Sequence, residues 1–259
     1  MLRRKKSSSS KEPLFEEGAG LCAQEVYLQG QDMPQKEPIL KNINVDIRAQ
    51  CTGILGLNGS GKTSFLKLFN GLVTPSSGSI QVDGVRLDHY PQAIRRRVGF
   101  LFADPLTQLI MPTPLEDIEL SLQSSIPNKQ QRRKQALELL ASRGLADRAH
   151  HSIYHISGGE RQLTALLTLL AVEPKILLLD EPTTLLDLRN KIKFIDLIKT
   201  LPQQLLISTH DLDLAQQCDQ LLILNAGQLL AQGPAEDMLT QYRHWCSSGF
   251  PNPTSRQQV

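Results

Sequence analysis

The sequence holds 259 residues, 40% apolar and 21% charged, enough for one large globular domain or two modest ones with an ample core. A formal net charge of +2 implies no strongly basic face, which argues against nucleic acid as a partner, and the basic runs at 95–97 and 129–134 read as solvated helix faces. Four cysteines, Cys22, Cys51, Cys218 and Cys246, are scattered without metal-ligand spacing, as expected of free thiols in a reducing compartment.

In chain order, "MLRRKKSSSSKEP" is basic and Ser-rich without an apolar segment, so it predicts a disordered tail over residues 1–20 and no signal peptide. Next, "VYLQGQDMPQKEPILKNINVDI" alternates in the manner of antiparallel β. Strands are predicted at "QCTGILGL" (50–57), "RVGFLFA" (97–103), "KILLLD" (175–180), "QLLIST" (204–209) and "QLLILNAG" (220–227). Several are apolar at consecutive positions, as parallel strands covered on both faces are. Helical segments separate them, which points to an α/β sheet of crossover units. Strand signals vanish between residues 112 and 155, and "LEDIELSLQ" and "KQQRRKQALELLASRGL" predict a helical insertion, placed at 112–172. After a closing helix in "PAEDMLTQYRHW", the main domain is expected to span 21–243 and a second tail 244–259. The longest apolar stretch, near 163–172, is far too short for a bilayer, so the chain is not expected to cross one.

Residues 56–63, "GLNGSGKT", match GxxxxGK[ST] between a predicted strand and a predicted helix. Glycines let the backbone turn its N–H groups onto phosphate oxygens, and the following helix offers its positive end there. Gly56, Asn58, Gly59, Ser60, Gly61, Lys62, Thr63 and Ser64 are therefore candidate ATP contacts. Lys62 would reach the outer phosphates and the Thr63 hydroxyl would ligate Mg²⁺. The plainer reading, a flexible Gly/Ser loop, explains neither the lysine nor its context. In "KILLLDEP", an apolar strand ends in two carboxylates, which burial penalises unless something pairs with them. Asp180 has the form of the Mg²⁺-holding carboxylate, and Glu181 is placed to polarise the attacking water.

With "ISGGERQ" (156–162) and "LLLDEPTTLLD" added, the chain resembles the ATP-binding-cassette family from about Val26 to Leu239. The resemblance implies an α/β P-loop NTPase of that type: a parallel-sheet core, an antiparallel β subdomain and a helical subdomain. Ile156 and Glu160 stand where the family usually has Leu and Gln. Ser157, Gly158 and Gly159 open a helix that, in the family, caps the γ-phosphate held by another subunit, so a head-to-tail homodimer or heterodimer sandwiching two ATPs is implied. Asp187 matches the acid of the loop along the dimer interface, and His210 the histidine that contacts the γ-phosphate and water. The pattern departs at two places. Ala103 replaces a glutamine that touches Mg²⁺, for which Gln108 is the candidate substitute; Met33 replaces an aromatic that stacks on adenine, where its polarisable sulfur can still pack. Weaker nucleotide affinity or slower turnover is the expected consequence.

"LFADPLTQLIMPTPLEDIELSL" further resembles the ATPases of energy-coupling-factor importers, which take up vitamins and transition-metal ions. There the adjoining groove grips the basic coupling helices of a membrane scaffold (T) subunit, and Glu116, Asp117 and Glu119 are candidates for that grip. A charged first helix turn explains these acids equally well, and Leu106 and Thr107 stand where the group has acids. "TTLLDLRN" and "STHDLDLA" look most like the biotin-transport member, whose vitamin binds a separate membrane (S) subunit and never touches this chain. The expectation is an ATPase subunit in the cytoplasm, peripheral on the inner membrane face. Its alternatives are a cobalt, nickel or other vitamin importer, a nucleotide-binding module with little hydrolysis, and a non-transport cassette ATPase.

Overall fold

Alternation of buried Leu21, Ala23, Val26 and Leu28 with outward polar residues makes β1 (Leu21–Leu28) the centre of an antiparallel sheet. It pairs with β2 (Leu40–Ile47) and β4 (Ser77–Val82), and β4 pairs with the short β5 (Val85–Arg86). The computed structural model describes residues 12–30 and 37–251.

The second sheet holds the continuous apolar runs: β3 (Cys51–Leu55), β6 (Val98–Leu101), β7 (Ile176–Asp180), β8 (Gln204–Ser208) and β9 (Gln220–Asn225). Its order is β10-β9-β3-β8-β7-β6; all neighbours are parallel except β10 (Gln228–Pro234), which returns antiparallel along β9. Five predicted strands are thus present. The sequence reading lacked β4, β5 and β10, whose residues are more polar and half-exposed, so no apolar run marks them.

Helices α1 (Lys62–Phe69) and α2 (Pro91–Arg97) lie with the antiparallel sheet against one side of the core. The other side is covered by α5 (Gly158–Leu170), α6 (Leu188–Lys199), α7 (Leu212–Ala215) and α8 (Ala235–Ser248). The predicted insertion is helical. α3 (Pro114–Ser121) and α4 (Lys129–Ser142) form a small core of their own with α5, through Leu115, Ile118, Leu140 and Leu167. Each such leucine contributes roughly 1.5–3 kcal/mol on burial, which lets the mostly polar α4 hold its place through Ala136 and Leu140.

Both expected tail boundaries move. Phe15 packs on the first core with the Arg97 guanidinium 4.5 Å above its ring, and the Glu16 amide donates to the Asp83 carbonyl at 2.9 Å. The chain is therefore engaged well before residue 21. At the other end α8 continues to Ser248, with Trp245 buried and 5.9 Å from the Phe250 ring. The sequence shows little of this because Phe15 at one end, and Trp245 and Phe250 at the other, are too few for a periodic pattern. Among the described residues no helix is long and apolar enough to cross a membrane. Cys51 and Cys218, distant in sequence, meet as free thiols at 3.3 Å.

Candidate nucleotide site

β3, β7 and β8 run parallel and end on one edge, where a sheet of this kind presents its ligands. From β3 the chain turns through residues 56–61 into α1. Gly56 lies so close to its surroundings that a Cβ would sit 2.3 Å from the Leu224 carbonyl oxygen. Gly61, at φ +101°, is the left-handed step that starts α1; a Cβ there would meet Leu40 Cδ2 at 2.8 Å. Asn58 and Gly59 are exposed at the tip, Ser60 is buried, and Ser64 lies half-buried in the first turn of α1.

Lys62 is buried, and its ammonium donates to the Gly56 carbonyl at 2.9 Å and lies 3.7 Å from Glu181 Oε1. Thr63 Oγ1 donates to the Asp180 carboxylate, 2.9 and 3.0 Å from its two oxygens. Asp180, 5% exposed, also accepts from Ser208 Oγ at 2.5 Å, because register puts Ser208 directly opposite it on β8. Glu181 follows in a left-handed conformation, φ 46°, with its amide donating to the Ser208 carbonyl at 3.0 Å. Its Oε2 accepts from the His210 amide at 3.2 Å and lies 2.7 Å from His210 Nδ1.

This cradle fits a triphosphate. A buried ammonium sits beside glycine-turned amides, and the Ser60 hydroxyl is buried without a partner among the described residues. It also fits Mg²⁺, a hard cation that takes oxygen donors with only one or two carboxylates among them, here the Thr63 hydroxyl and the Asp180 carboxylate.

Ser157, Gly158 and Gly159 form a separate group. The Ser157 hydroxyl accepts from the Glu160 amide at 3.2 Å while Glu160 Oε2 accepts from the Ser157 amide at 2.7 Å, a reciprocal cap on α5. Burial opposes the Glu160 charge, but bonds from Arg148 and Ser157 outweigh it and hold the carboxyl below its ordinary range. A Cβ on Gly159 would meet Asn190 Cγ at 3.0 Å, so this helix start rests against the beginning of α6. Asp187 caps that helix by accepting from the Asn190 amide at 2.8 Å. No hydrogen bond or ion pair among the described residues joins this group to the phosphate loop.

Other expected residues are engaged elsewhere in the fold. Gln108 is turned to α5: its amide donates to the Ala165 carbonyl at 2.8 Å and Thr168 Oγ1 at 3.2 Å, so it is not gathered with Thr63 and Asp180. Asp117 is buried and accepts from the Ile110 and Met111 amides, with burial pushing its carboxyl up. Glu116 accepts from Thr113 Oγ1 at 2.8 Å and Glu119 lies 3.6 Å from Arg133, so both acids make bonds within the subdomain. Met33 lies outside the described residues. Ser208 was missed; its signal was the one hydroxyl inside the apolar run "QLLIS".

The family model for ABC transporters matches residues 40–184. This chain belongs to the ABC transporter family. It is an ABC transporter ATPase, and its α/β fold with an antiparallel subdomain is that of the family. The biotin transport ATP-binding protein BioM of Rhizobium etli is 36% identical to this ATPase over 204 residues, covering 79% of this chain and 91% of BioM. The energy-coupling factor transporter ATP-binding protein EcfA1 of Lactobacillus delbrueckii is 35% identical over 210 residues, 78% of this chain and 74% of its own. Among solved structures, a dimeric post-hydrolysis cassette bound to ADP and Pi superposes with TM-score 0.75 at 29% identity, covering 83% of this chain and 98% of that one. The structure of cbiO1 from Clostridium perfringens, part of the ABC transporter complex cbiONQ, superposes at 0.74 with 28% identity, covering 90% and 96%.

Proposed function

We propose that this ABC ATPase powers an importer of the energy-coupling-factor type, with biotin as the favoured solute, by hydrolysing ATP in a head-to-tail dimer of cassettes. The observation that carries the hydrolytic reading is the convergence of Lys62, Thr63, Asp180, Glu181 and His210 on one sheet edge. The phosphate loop and Lys62 hold the outer phosphates of ATP. Thr63 and Asp180 would hold Mg²⁺, which supplies charge neutralisation between the phosphates. Glu181 accepts the proton of the attacking water, and His210 fixes the orientation of that carboxylate. Ser157, Gly158 and Gly159 carry a helix N-terminus that, among the described residues, makes no hydrogen bond or ion pair with the chain's own loop, which suits the capping of a partner's nucleotide. Asp187, at the head of the helix packed beside them, belongs to the same face.

The import reading draws on BioM and EcfA1, and on cbiO1 as part of a larger complex. A membrane scaffold subunit and a solute-binding subunit are its partners, and the chain works on the cytoplasmic side without touching the solute. Steady-state phosphate release by the chain with its membrane subunits tests the catalytic assignment. Glu181→Gln should cut turnover roughly 10²–10⁴-fold, the usual contribution of a general base, while ATP binding persists. Parental turnover in that variant refutes the assignment. Affinity purification from the native cell tests the rest: a scaffold and a biotin-binding membrane protein should copurify. Recovery of a cobalt or nickel binder changes the solute, and recovery of no membrane protein refutes import.

A further inference from the structure

Lys191 stands in the first turn of α6, facing the positive end of its own helix with no acid in that turn. Its compensation comes from another element. The ammonium lies 2.8 Å from Asp211 Oδ2 and 2.9 Å from Asp213 Oδ2. Asp213 is 77% exposed, whereas the side chains of Lys191 and Asp211 are 19% and 12% exposed, so the Asp211 contact is the one sheltered from solvent screening.

Asp211 is fully committed. Its Oδ1 accepts from the Asp213 and Leu214 amides and caps α7, while Oδ2 accepts from Thr183 Oγ1 at 3.1 Å and from Lys191. Burial opposes its charge, yet the bonds from Lys191 and Thr183 outweigh burial and hold the carboxyl below its ordinary range. Three segments meet at this carboxylate. Thr183 lies two residues beyond Glu181, Lys191 four beyond Asp187, and Asp211 directly follows His210. The His210 side chain is 60% exposed, with Glu181 as its partner, so its position depends on the backbone that Asp211 anchors.

We propose that Lys191 is a positioning residue for hydrolysis: through Asp211 it fixes the His210 segment against Glu181 and ties both to the helix that begins at Asp187. The proposal rests on the catalytic reading of Glu181 and His210. Among the described residues Lys191 makes no hydrogen bond or ion pair with the phosphate loop, so its loss misaligns the reacting groups and leaves nucleotide binding intact.

Phosphate release is measured against ATP concentration for the full chain with its copurified membrane subunits. Lys191→Met should lower kcat about tenfold or more with KM within about twofold, because misplacement alone has costs of this order. Lys191→Arg should recover most of the rate, Asp211→Asn should resemble Lys191→Met, and Asp213→Asn should match the parent. Parental kcat in Lys191→Met overturns the proposal, as does a joint loss of binding and turnover that Lys191→Arg fails to rescue. Should Lys191→Met lose its cooperative melt, Asp211→Asn carries the same comparison. Glu181→Gln in the same series separates the two ideas. A parental rate there removes the catalytic reading itself, whereas an inactive Glu181→Gln beside a parental Lys191→Met removes only the role of Lys191.

Discussion

Ser208→Ala isolates one contact between the fold and the Mg²⁺ carboxylate. Ser208 is fully buried, donates to Asp180 at 2.5 Å, and accepts from the Glu181 amide at 3.2 Å. The alanine leaves no orphaned amide, since Glu181 N–H keeps its bond to the Ser208 carbonyl at 3.0 Å. What is lost is a hydrogen bond to a 5% exposed carboxylate, a contact worth about 1.5–3 kcal/mol. For ~2 kcal/mol within that range, at ~2–4 °C per kcal/mol for a chain of this size, the thermal midpoint should fall by about 4–8 °C. Among the described residues Asp180 then keeps Thr63 as its one side-chain donor, so its orientation loosens and the Mg²⁺ half-saturation of phosphate release should rise by about 30-fold for the same ~2 kcal/mol. Calorimetry and a Mg²⁺ titration read the two effects. A midpoint within about 1 °C of the parent, with unchanged Mg²⁺ dependence, refutes the claim that this hydroxyl orients Asp180.

Two further substitutions probe the loop and the α5 cap. Gly61→Ala forces a Cβ to within 2.8 Å of Leu40 Cδ2 at φ +101°, so it should cost about 1–3 kcal/mol of stability and abolish binding of a fluorescent ATP analogue; retained affinity contradicts the cradle. Glu160→Gln should cost only ~1 kcal/mol at pH 7, because its partner Arg148 is substantially exposed. The folded Glu160 carboxyl titrates below its ordinary 4.5. Its stabilisation is therefore complete above pH 4.5 and lost as the pH falls through the depressed value. Denaturant midpoints of parent and variant should converge as the pH drops below 4.5, and a constant gap would contradict the assignment.

Much of the site was legible because its chemistry is local. The loop 56–63 needs its glycines, lysine and threonine at fixed spacing along one turn, and Asp180 and Glu181 announce themselves by ending an apolar strand. The five core strands were equally plain, since burial on both faces demands unbroken apolar runs. Spacing could not say where a long side chain turns. Gln108 carries the donors and acceptor of a metal-site residue, but the adjacent α5 offers its Ala165 carbonyl and takes them. Asp117 reads as an exposed first-turn acid, yet the 110–111 backbone folds over it and buries it.

By itself the sequence determined the strand–loop–helix of the phosphate site, the positions along the chain of the main sheet's apolar segments and the resemblance to the family. Each is set by residues that are neighbours along the chain or by composition over a short run. Tertiary structure alone decided that Ser208 would face Asp180, that Phe15 would join the core, and that Lys191 would answer Asp211. Those pairings depend on parallel register and helix packing between segments roughly twenty to eighty residues apart. Nothing in either segment specifies its partner until the hydrophobic core has brought the two together.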